Sequence, residues 1–450
     1  MTDNAYNRRD PAKPFPHFPI QEDCIVIFGE LTIGVIGLVL TYHLVAQFVS
    51  RRELASRDLD YKTEMQSVLS REAEARDRLV KRRPSDFGWK GWRDVQVMDV
   101  RDESPDCRSF RFGPLDGSRG HDKILPRFRG GQSILVSMRD AQTGKRVSRC
   151  YSLSGGPDEP HYRITVKRVP GGKVSNWLHD HLRVGDHIQI QQPRGSFHVN
   201  ELRADQPLVL IAAGIGITPM LSMLLENLEQ TPKRRVALFY QLRSNDNAPF
   251  LKALRQLVSR VSRLLPVTLH VFYSKPSPDQ KLDVNDQLGR VDAERMLEQL
   301  GGTAGEFMIC GPGVFMESIA EGLVAHNVDV DRVHYESFGG KAKGVGAIAV
   351  KNESPGEQAS YAIAFAGHDA DDESQVTQWD GTDGSLLDFA ENQDIEVESA
   401  CRVGNCGACV CKLRSGTVAY TTPPDFEAES DEVVMCVARP TSNVEIELLT

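Results

Sequence analysis

The pattern of hydrophobic and polar positions divides the chain into stretches of different kinds. Residues 31–49, LTIGVIGLVLTYHLVAQFV, are an uncharged apolar run. As a helix, this run would be about 28 Å long, close to the thickness of a bilayer core. It predicts a membrane helix within residues 24–50, after an N-terminal tail of residues 1–23. A signal peptide is disfavoured by the length and late start of the run, and a buried or interfacial helix is the other alternative, because His43 and Gln47 are polar.

A charged stretch follows the apolar run. It contains no Gly or Pro before Pro84 and is rich in helix formers, so residues 51–84 are predicted to be a charged helical spacer. Its interrupted apolar spacing favours a solvated helix over a dimerising coiled coil. Four basic residues follow the run closely, namely Arg51, Arg52, Arg57 and Lys62, against three before it. This excess favours a single-pass protein with its soluble domains on the cytoplasmic side.

Beyond the spacer the pattern changes to short alternating runs such as WRDVQVMDV, SILVSM and YRITVKRV, separated by Gly, Pro and Asp. Such runs predict short strands, and their number predicts an antiparallel β-barrel in residues 85–203. In the run RCYSLSGG, alternation puts Arg149 and Tyr151 on one face of the strand and Ser152 on the other. Glycines before a predicted helix, Val174–Leu182, would leave backbone N–H groups open to an anion.

A strand, a glycine turn and an amphipathic helix come next, in PLVLIAAGIGITPMLSMLLENL. Such a unit brings backbone N–H groups and the positive end of a helix dipole to a phosphate at the edge of a parallel sheet. Two further apolar strands, VALFYQLRS and EFMICGPG, end in turns that a doubly wound sheet would place at the same edge. The repetition predicts one nucleotide site in an α/β domain of residues 204–340.

The order of these motifs resembles the ferredoxin-NADP reductase superfamily, most closely the reductase half of flavohaemoglobins and the oxygenase reductases. The matching motifs are R-x-Y-S, GGxVSNxLH, PxGxF and AGxGxTP, followed by GPG and VHYESFGG. The resemblance implies a bound FAD, with FMN as the alternative. It implies Tyr151 against the flavin ring and Ser152 near the reactive N5 atom. Phosphate contacts are implied for Arg149, Val174 and Ser175.

The same resemblance implies roles in the nucleotide domain. The implied residues are Gly214, Gly216 and Thr218 at the pyrophosphate, Cys310 and Gly311 beside the nicotinamide, and Glu336 and Phe338 reaching back toward the flavin. Catalytic roles would fall to Ser152, Cys310 and Glu336, although simple packing is the alternative for Cys310.

The identity of the nicotinamide donor is left open by the sequence. Arg243, Ser244 and Lys275 could bind the 2′-phosphate of NADPH, but an Arg after such a strand also occurs in NADH users, and a solvated face would explain these residues too. Between the two donors we favour NADH.

Near the C-terminus, cysteines are spaced C-x4-C-x2-C, and another follows 27 positions further on. They are Cys401, Cys406, Cys409 and Cys436. This is the ligand pattern of a plant-type [2Fe-2S] cluster, whereas structural zinc sites prefer a two-residue gap in both halves. Cys411 is predicted to pack rather than to bind iron. The surrounding sequence resembles a plant-type ferredoxin domain of β-grasp fold, predicted for residues 359–450 after a linker of residues 341–358.

Composition narrows the range of functions. The 450 residues include 53 Lys and Arg against 62 Asp and Glu, a net charge of −9, which argues against nucleic acid as a partner. The length predicts about three domains. The nine cysteines are not distributed like a secreted disulfide framework, so a reducing compartment is expected.

Together these features predict an NAD(P)H-dependent flavin and iron-sulfur oxidoreductase. A nicotinamide delivers two electrons together whereas the cluster accepts one, so a flavin must lie between them. No oxygenase metal site stands out, so the acceptor is expected to be another protein in the same membrane: an oxygenase, hydroxylase or desaturase. A quinone reductase subunit, which has a different domain order, and a cluster-based redox sensor are the alternatives. An acidic group near the last cluster ligand could steer a basic partner, namely Asp425, Glu427, Glu429, Asp431 and Glu432.

Overall fold

Three sheets of five or six strands carry the fold, and their order along the chain follows the three predicted domains. The structure is a computed structural model that describes residues 89–448 except 90, 119–123, 201–202, 280, 339–359, 367–374, 382–383, 425 and 427. All of the described residues belong to one compact unit, Leu79–Thr450.

The first sheet is antiparallel and has the strand order β4-β3-β6-β1-β2-β5. Its elements are β1 (Arg93–Ser104), β2 (Cys107–Gly113), β3 (Ser133–Arg139), β4 (Arg146–Ser152), β5 (Tyr162–Lys167), α1 (Lys173–His181) and β6 (His187–Ile190). A bridge between Leu153 and Ile164 joins the end of β4 to β5 and closes the sheet into a barrel. Alternate side chains such as Phe110 and Phe112 fill its interior. Helix α1 begins one residue before the predicted start.

The second sheet is parallel and has the order β10-β9-β8-β7-β11-β12. Its strands are β7 (Leu208–Ala213), β8 (Val236–Leu242), β9 (Val267–Tyr273), β10 (Asp286–Leu288), β11 (Glu306–Cys310) and β12 (Val333–Glu336). Its helices are α2 (Ile217–Gln230), α3 (Leu251–Val261), α4 (Ala293–Leu300) and α5 (Gly313–Ala325), with single 3-10 turns at Gly214–Gly216 and Val330–Arg332. Helices α2 and α3 pack on one face of the sheet and α4 and α5 on the other, so the sheet is doubly wound as predicted.

The third sheet has the order β14-β13-β19-β15-β17, and β16 and β18 form a separate pair. Its elements are β13 (Tyr361–Ala366), β14 (Gln375–Trp379), α6 (Leu386–Asn392), β15 (Val410–Ser415), β16 (Val418–Tyr420), β17 (Glu432–Val434), a 3-10 turn at Met435–Val437, β18 (Ala438–Pro440) and β19 (Val444–Glu447). Helix α6 begins with a capping box formed by Ser385 and Asp388. Cys411 lies in the hydrophobic core beneath this helix, which confirms its predicted packing role.

Some of the expectations fall on residues that are not described. Residues 1–23, the membrane helix 24–50, the spacer 51–84 and the linker 341–358 lie outside the described ranges. Within the part of the chain that the structure does describe, no helix is both long enough and apolar enough to cross a bilayer.

A buried ion pair of the parallel-sheet domain also contacts the end of the barrel. Arg234 Nη2 lies 2.7 Å from Glu306 Oε2, and the two side chains are 2 % and 1 % exposed. The other oxygen of Glu306 accepts the backbone N–H of Asn200 at 2.9 Å, and Arg234 Nε donates to the carbonyl of Gln206 at 2.7 Å. Because both charges are buried, each depends on the other for its stability.

We expect Glu306→Ala to lower the free energy of unfolding of this part of the protein by about 3–5 kcal/mol, because the Arg234 charge would remain buried without its partner. Urea denaturation followed by circular dichroism measures the change. Asp180→Ala is the matched control, since it removes an ion pair with Arg168 that is exposed on both sides and contributes little to stability. Equal losses in the two variants would contradict the role given to burial.

Candidate functional site

Three residues with predicted catalytic roles come from separate strands and meet at one place. Ser152, the last residue of β4, donates its hydroxyl hydrogen to Glu336 Oε2 at 3.1 Å. Glu336 ends β12, and strand pairing places it beside Cys310, the last residue of β11. All three side chains are buried. The barrel and the parallel sheet therefore share this cluster, although Ser152 and Glu336 are 184 positions apart.

Burial keeps the side chains of Cys310 and Tyr151 protonated. Burial raises the pKa of the Cys310 thiol well above its ordinary value, and the charge of Glu336 raises it further. Burial also raises the pKa of the Tyr151 phenol, against a smaller lowering by Arg149. At neutral pH both groups are therefore uncharged, and they can donate hydrogen bonds or pack against an aromatic ring.

Arg149 is placed where the phosphates of a flavin cofactor could bind. Its side chain is exposed on β4, where it donates to the carbonyl of Ser148 at 2.7 Å. It lines a cleft of about 790 Å³ together with three more basic side chains of the β3–β4 hairpin and with four acidic side chains, Glu391, Asp394, Glu396 and Glu398. Two of the basic groups, Lys145 and Arg146, pair with Glu396 and Glu398, so the positive charge available to an anionic diphosphate is that of Arg149 and Arg139.

The start of helix α1 supplies the other predicted phosphate contacts. Gly172 is its N-cap, and no side chain caps the helix there, so N–H groups of the first turn lack intrahelical partners. The Val174 side chain packs in the barrel core, and the Ser175 hydroxyl accepts the N–H of Val169 at 3.3 Å. The backbone N–H groups of these two residues are the parts best suited to a phosphate.

The predicted pyrophosphate residues Gly214 and Gly216 form the turn between β7 and α2, and Thr218 is the second residue of α2. Strand β7 lies between β8 and β11. The strand order therefore advances from β7 to β10 on one side of β7 and then switches to β11 and β12 on its other side. This change of direction opens a crevice at the carboxyl ends of the strands. A Cβ atom on Gly216 would overlap the carbonyl of Cys310, and one on Gly311 would lie 2.9 Å from the Ala213 side chain. The glycines therefore allow the two strand ends to approach closely.

Residues beyond the glycine turn take different positions. Thr218 is buried, and its hydroxyl donates to the carbonyl of Ile215 at 3.0 Å, which stabilises the turn. Phe338 follows β12 with its side chain 43 % exposed. The described structure thus brings Ser152, Cys310 and Glu336 into one cluster and leaves the Phe338 ring partly in solvent.

The residues considered for a 2′-phosphate lie in the loops after β8 and β9. The backbone N–H of Lys275 donates to the carbonyl of Arg243 at 2.8 Å, which joins the two loops. The hydroxyl of Ser244 donates to Asp246 Oδ2 at 3.1 Å, and that of Ser277 donates to the same oxygen at 3.0 Å. Asp246, which no sequence motif indicated, therefore adds a negative charge beside Ser244.

The four predicted cluster ligands come together from the loop before β15 and the turn after β17, and they are Cys401, Cys406, Cys409 and Cys436. The N–H of Cys406 donates to Cys401 Sγ at 3.3 Å, and the N–H of Cys436 donates to Cys409 Sγ at 3.4 Å. Hydrogen bonds from the Cys406 and Cys436 thiols lower the pKa of Cys401, and the same bonds raise the pKa of Cys406 and Cys436. These bonds link the thiols to one another, and only their thiolate forms bind metal. No three described His, Cys, Asp or Glu side chains surround a single-ion site.

The ligand loop needs unusual backbone conformations. Gly404 and Gly407 have φ values of +84° and +68°, and Arg402 has a φ of +57°. This region is open to glycine but unfavourable for an arginine. The Arg402 guanidinium is bonded to Glu391 of helix α6, which holds the strained residue in place. The convergent thiols and the tight loop fit a small cluster with thiolate ligands.

The barrel reaches the ligand loop through Arg194. Its backbone pairs with Ser133 of β3 in both directions at 2.9 Å, and its guanidinium lies 5.9 Å from the centre of the Phe426 ring. A Cβ atom on Gly407 would overlap that ring, so Phe426 covers the loop between two ligands. Burial lowers the pKa of Arg194, whereas the charge of Cys406 raises it. Arg194 therefore contributes positive charge close to the ligand set.

The acidic group near Cys436 is partly engaged within the ferredoxin domain. Asp431 lies 3.8 Å from the Lys412 ammonium group, and Glu432 accepts the backbone N–H of Glu429 at 3.0 Å. Asp425 and Glu427 are outside the described residues. Electrostatic steering of a partner by this group stays a prediction.

Comparison with known proteins supports the three domains. Residues 94–199 match the oxidoreductase FAD-binding domain, residues 210–321 the oxidoreductase NAD-binding domain, and residues 369–441 the 2Fe-2S iron-sulfur cluster binding domain. The ferredoxin reductase component of 3-ketosteroid-9-alpha-monooxygenase from Mycobacterium tuberculosis (strain ATCC 25618 / H37Rv) is 34% identical over 358 residues, 78% of this chain and 94% of the relative. The chain belongs to the ferredoxin-NADP reductase superfamily.

Other relatives of this chain match it over a smaller share of their own length. The flavohemoprotein of Rhizobium meliloti (strain 1021) is 36% identical over 259 residues, which are 56% of this chain and 62% of the relative. An intact type IV self-sufficient cytochrome P450 monooxygenase has a similar fold, with a TM-score of 0.55, 21% identity and coverage of 81% of this chain and 42% of that chain.

The chain is therefore an oxidoreductase with FAD and a [2Fe-2S] cluster as cofactors and NAD(P)H as electron donor. Bound FAD supplies the conversion between paired and single electrons. The residues fit these groups, because Arg149 and the uncapped first turn of α1 can donate to phosphates, the glycines open the nucleotide crevice, and the four thiols converge. Sequence patterns did not indicate Asp246 or Arg194, because Asp246 stands in no motif and Arg194 occupies a variable position of PxGxF.

We expect Ser152→Ala to slow FAD reduction by NADH about 100-fold, because Glu336 would lose a buried hydrogen-bond donor at the predicted reaction centre. Anaerobic stopped-flow absorbance of the flavin measures the rate. Ser109→Ala is the matched control, since it also removes a barrel hydroxyl that donates to a glutamate, Glu103. A rate unchanged in Ser152→Ala, or equally slowed in both variants, would contradict the role of Ser152.

Proposed function

We propose that this chain is the membrane-anchored reductase component of an oxygenase system, and that it passes electrons from NADH to an oxygenase, hydroxylase or desaturase in the same membrane. The observation that carries the proposal is the contact of all three domains around one strand, β4. Its end bonds to Glu336 of the nucleotide domain, and its start bonds to Glu398 of the ferredoxin domain. Such an arrangement serves transfer through the protein rather than a reaction on a bound organic substrate.

The nature of the acceptor rests on two lines of support. A relative aligned along 94% of its length is named as the reductase component of a monooxygenase. The run of residues 31–49 is uncharged, and as a helix it would have the length of a bilayer core. A reductase held in a membrane meets a membrane acceptor at a high effective concentration, which favours an acceptor in that membrane.

The roles of the residues follow from their positions. We infer that Arg149 and the first turn of α1 bind the flavin phosphates, and that the turn with Gly214 and Gly216 binds the pyrophosphate of the donor. Ser152 and Glu336 then position the reacting groups and exclude water from them, since both are buried. The neutral Cys310 thiol packs beside the nicotinamide. The four cysteine thiolates hold the cluster on the ferredoxin side.

We expect the full chain to restore NADH-dependent oxygen uptake in membranes from a strain lacking this gene, and a variant without residues 24–50 to be about tenfold less effective, because the anchor raises the effective concentration at the acceptor. The full chain should also stay in the membrane after alkaline carbonate washing, whereas the shortened variant should be released. Ferricyanide reduction per bound FAD is the control and should be equal in both.

Three results would overturn this proposal. Release of the full chain by carbonate would remove the anchor. Equal oxygen uptake with both forms would remove the membrane acceptor. Negligible ferricyanide turnover by the fully loaded protein would favour a redox sensor over a reductase.

The preference for NADH is supported by Asp246. Its carboxylate accepts the hydroxyl hydrogens of Ser244 and Ser277 at the edge where the donor ribose is expected. A carboxylate at that place can accept a hydrogen bond from a 2′-hydroxyl group but repels a 2′-phosphate. The nearby positive charge of Arg243 and Lys275 is thereby offset.

We expect Asp246→Ser to lower the ratio of kcat/KM for NADH over NADPH by about tenfold, because removing a like charge beside the phosphate is worth about 1.4 kcal/mol or more. Steady-state ferricyanide reduction with each donor measures the ratio. Asp279→Ser, which removes an exposed aspartate near the same loop, should leave the ratio unchanged. An unchanged ratio in Asp246→Ser would argue against this origin of the preference.

A further inference from the structure

One carboxylate of the ferredoxin domain binds three side chains of the flavin barrel. Glu398 Oε1 accepts hydrogen bonds from Trp92 Nε1 at 2.6 Å and Arg146 Nη1 at 3.2 Å. Glu398 Oε2 accepts one from the Gln191 side-chain amide at 3.1 Å. The donors come from the residue before β1, the first residue of β4 and the residue after β6. Both carboxylate oxygens are therefore engaged by the other domain.

The donors are themselves held in place by the barrel. The Arg146 guanidinium lies over the Trp92 ring, 4.8 Å from its centre, and its Nη2 donates to Gln189 Oε1 at 3.0 Å. Gln191 is buried, and its backbone N–H donates to the carbonyl of Leu135 in β3. The three donors form a rigid, partly desolvated receptor, and hydrogen bonds to a charged group in such a place are stronger and more directional than those between neutral groups.

Glu398 belongs to a segment that runs beside β4 in a fixed register. Lys145 pairs with Glu396 at 2.6 Å, Arg146 with Glu398, and the Ser148 hydroxyl with the carbonyl of Ser399 at 3.3 Å. Residue numbers rise together along both segments. The same direction leads to Cys150 on β4 and to the cluster ligand Cys401 on the ferredoxin side.

The same register continues toward the cluster. Cys150 lies two residues after Ser148, and Cys401 lies two residues after Ser399, so the register aligns the first cluster ligand with Cys150. The Cys150 thiol donates to Ser133 Oγ at 3.0 Å, and Ser133 pairs with Ser152 at the end of β4. The register of the ferredoxin segment against β4 decides how close the ligand loop comes to the flavin strand.

We propose that Glu398 is a positioning residue for electron transfer, whose carboxylate locks the ferredoxin domain onto the flavin barrel in the register that places Cys401 beside Cys150. The rate of electron transfer falls steeply with distance, so a shift of one position along β4 would slow it. The inference rests on electron transfer from FAD to the cluster, not on the membrane acceptor proposed above.

The test uses the full chain loaded with FAD and cluster, mixed with NADH without air and without any acceptor. In Glu398→Ala, reduction of the cluster should slow by about tenfold or more, since small misplacements of reacting groups have large effects on rate. Reduction of the flavin should stay within about twofold, because Glu398 bonds to the start of β4, whereas Ser152 and its partner Glu336 lie at the other end of that strand. Glu398→Gln keeps one carbonyl acceptor, so its rate of cluster reduction should lie between the rates of the parent and of Glu398→Ala.

Glu396→Ala is the matched control. It lies two positions away and also pairs with the barrel, but that pair is 62 % and 72 % exposed, and exposed pairs contribute little. A second readout does not depend on electron transfer: in the oxidised, loaded protein, amide hydrogen exchange of residues 396–399 should rise in Glu398→Ala and not in Glu396→Ala.

Three results would overturn the proposal. Cluster reduction in Glu398→Ala within twofold of the parent rate would show that the carboxylate sets no register. Equal slowing in Glu396→Ala would show that any charge in this segment has the same effect. Loss of iron, or equal slowing of flavin reduction, would show a general structural role. No acceptor is present, so each result is independent of the proposed membrane partner.

Discussion

The alternation of side chains along β4 is the constraint on which the rest of the structure depends. At one end of this strand, Ser152 bonds to Glu336 of the parallel sheet. At the other end, Arg146 bonds to Glu398 of the ferredoxin domain. Since the strand has only seven residues, a change in its register would move every one of these contacts to the opposite face. The strand therefore sets the positions of both neighbouring domains relative to the flavin site.

The two joints that meet at the barrel differ in physical character. The joint with the parallel sheet is buried: Ser222 donates to the carbonyl of Gly155 at 2.8 Å, Glu226 accepts the N–H of Gly130 at 3.0 Å, and Glu306 accepts the N–H of Asn200 at 2.9 Å. The joint with the ferredoxin domain is polar, and Glu398 and Arg146 are each 33 % exposed. Buried charged contacts are costly to break, whereas partly hydrated ones are not. The contacts of the nucleotide domain are thus costly to break. The hydrogen bonds of the ferredoxin domain fix its orientation on the barrel but cost less to break.

Sequence patterns predicted what depends on local chemistry. The cysteine spacing indicated the ligand loop, the glycine turns indicated the nucleotide crevice, and alternation indicated β4, because each follows from neighbouring residues. The contacts between domains could not be found in this way, since Trp92 and Glu398 are 306 positions apart and no pattern links them. Sequence patterns did not indicate Asp246 for a related reason, because its role depends on two loops that meet only in the folded sheet.

The choice of a carboxylate at the ferredoxin joint has a physical reason. An apolar contact would bury area without fixing direction, and it would leave an exposed apolar patch whenever the two surfaces separated. A carboxylate that accepts three hydrogen bonds from a rigid receptor is satisfied in one register only, and water can satisfy it when the contact opens. Cys401 and Cys436 are only partly buried within the ferredoxin domain, so the cluster loop is accessible from outside. A joint that is directional yet easily hydrated therefore suits a domain whose cluster receives electrons from the flavin barrel and remains accessible from outside.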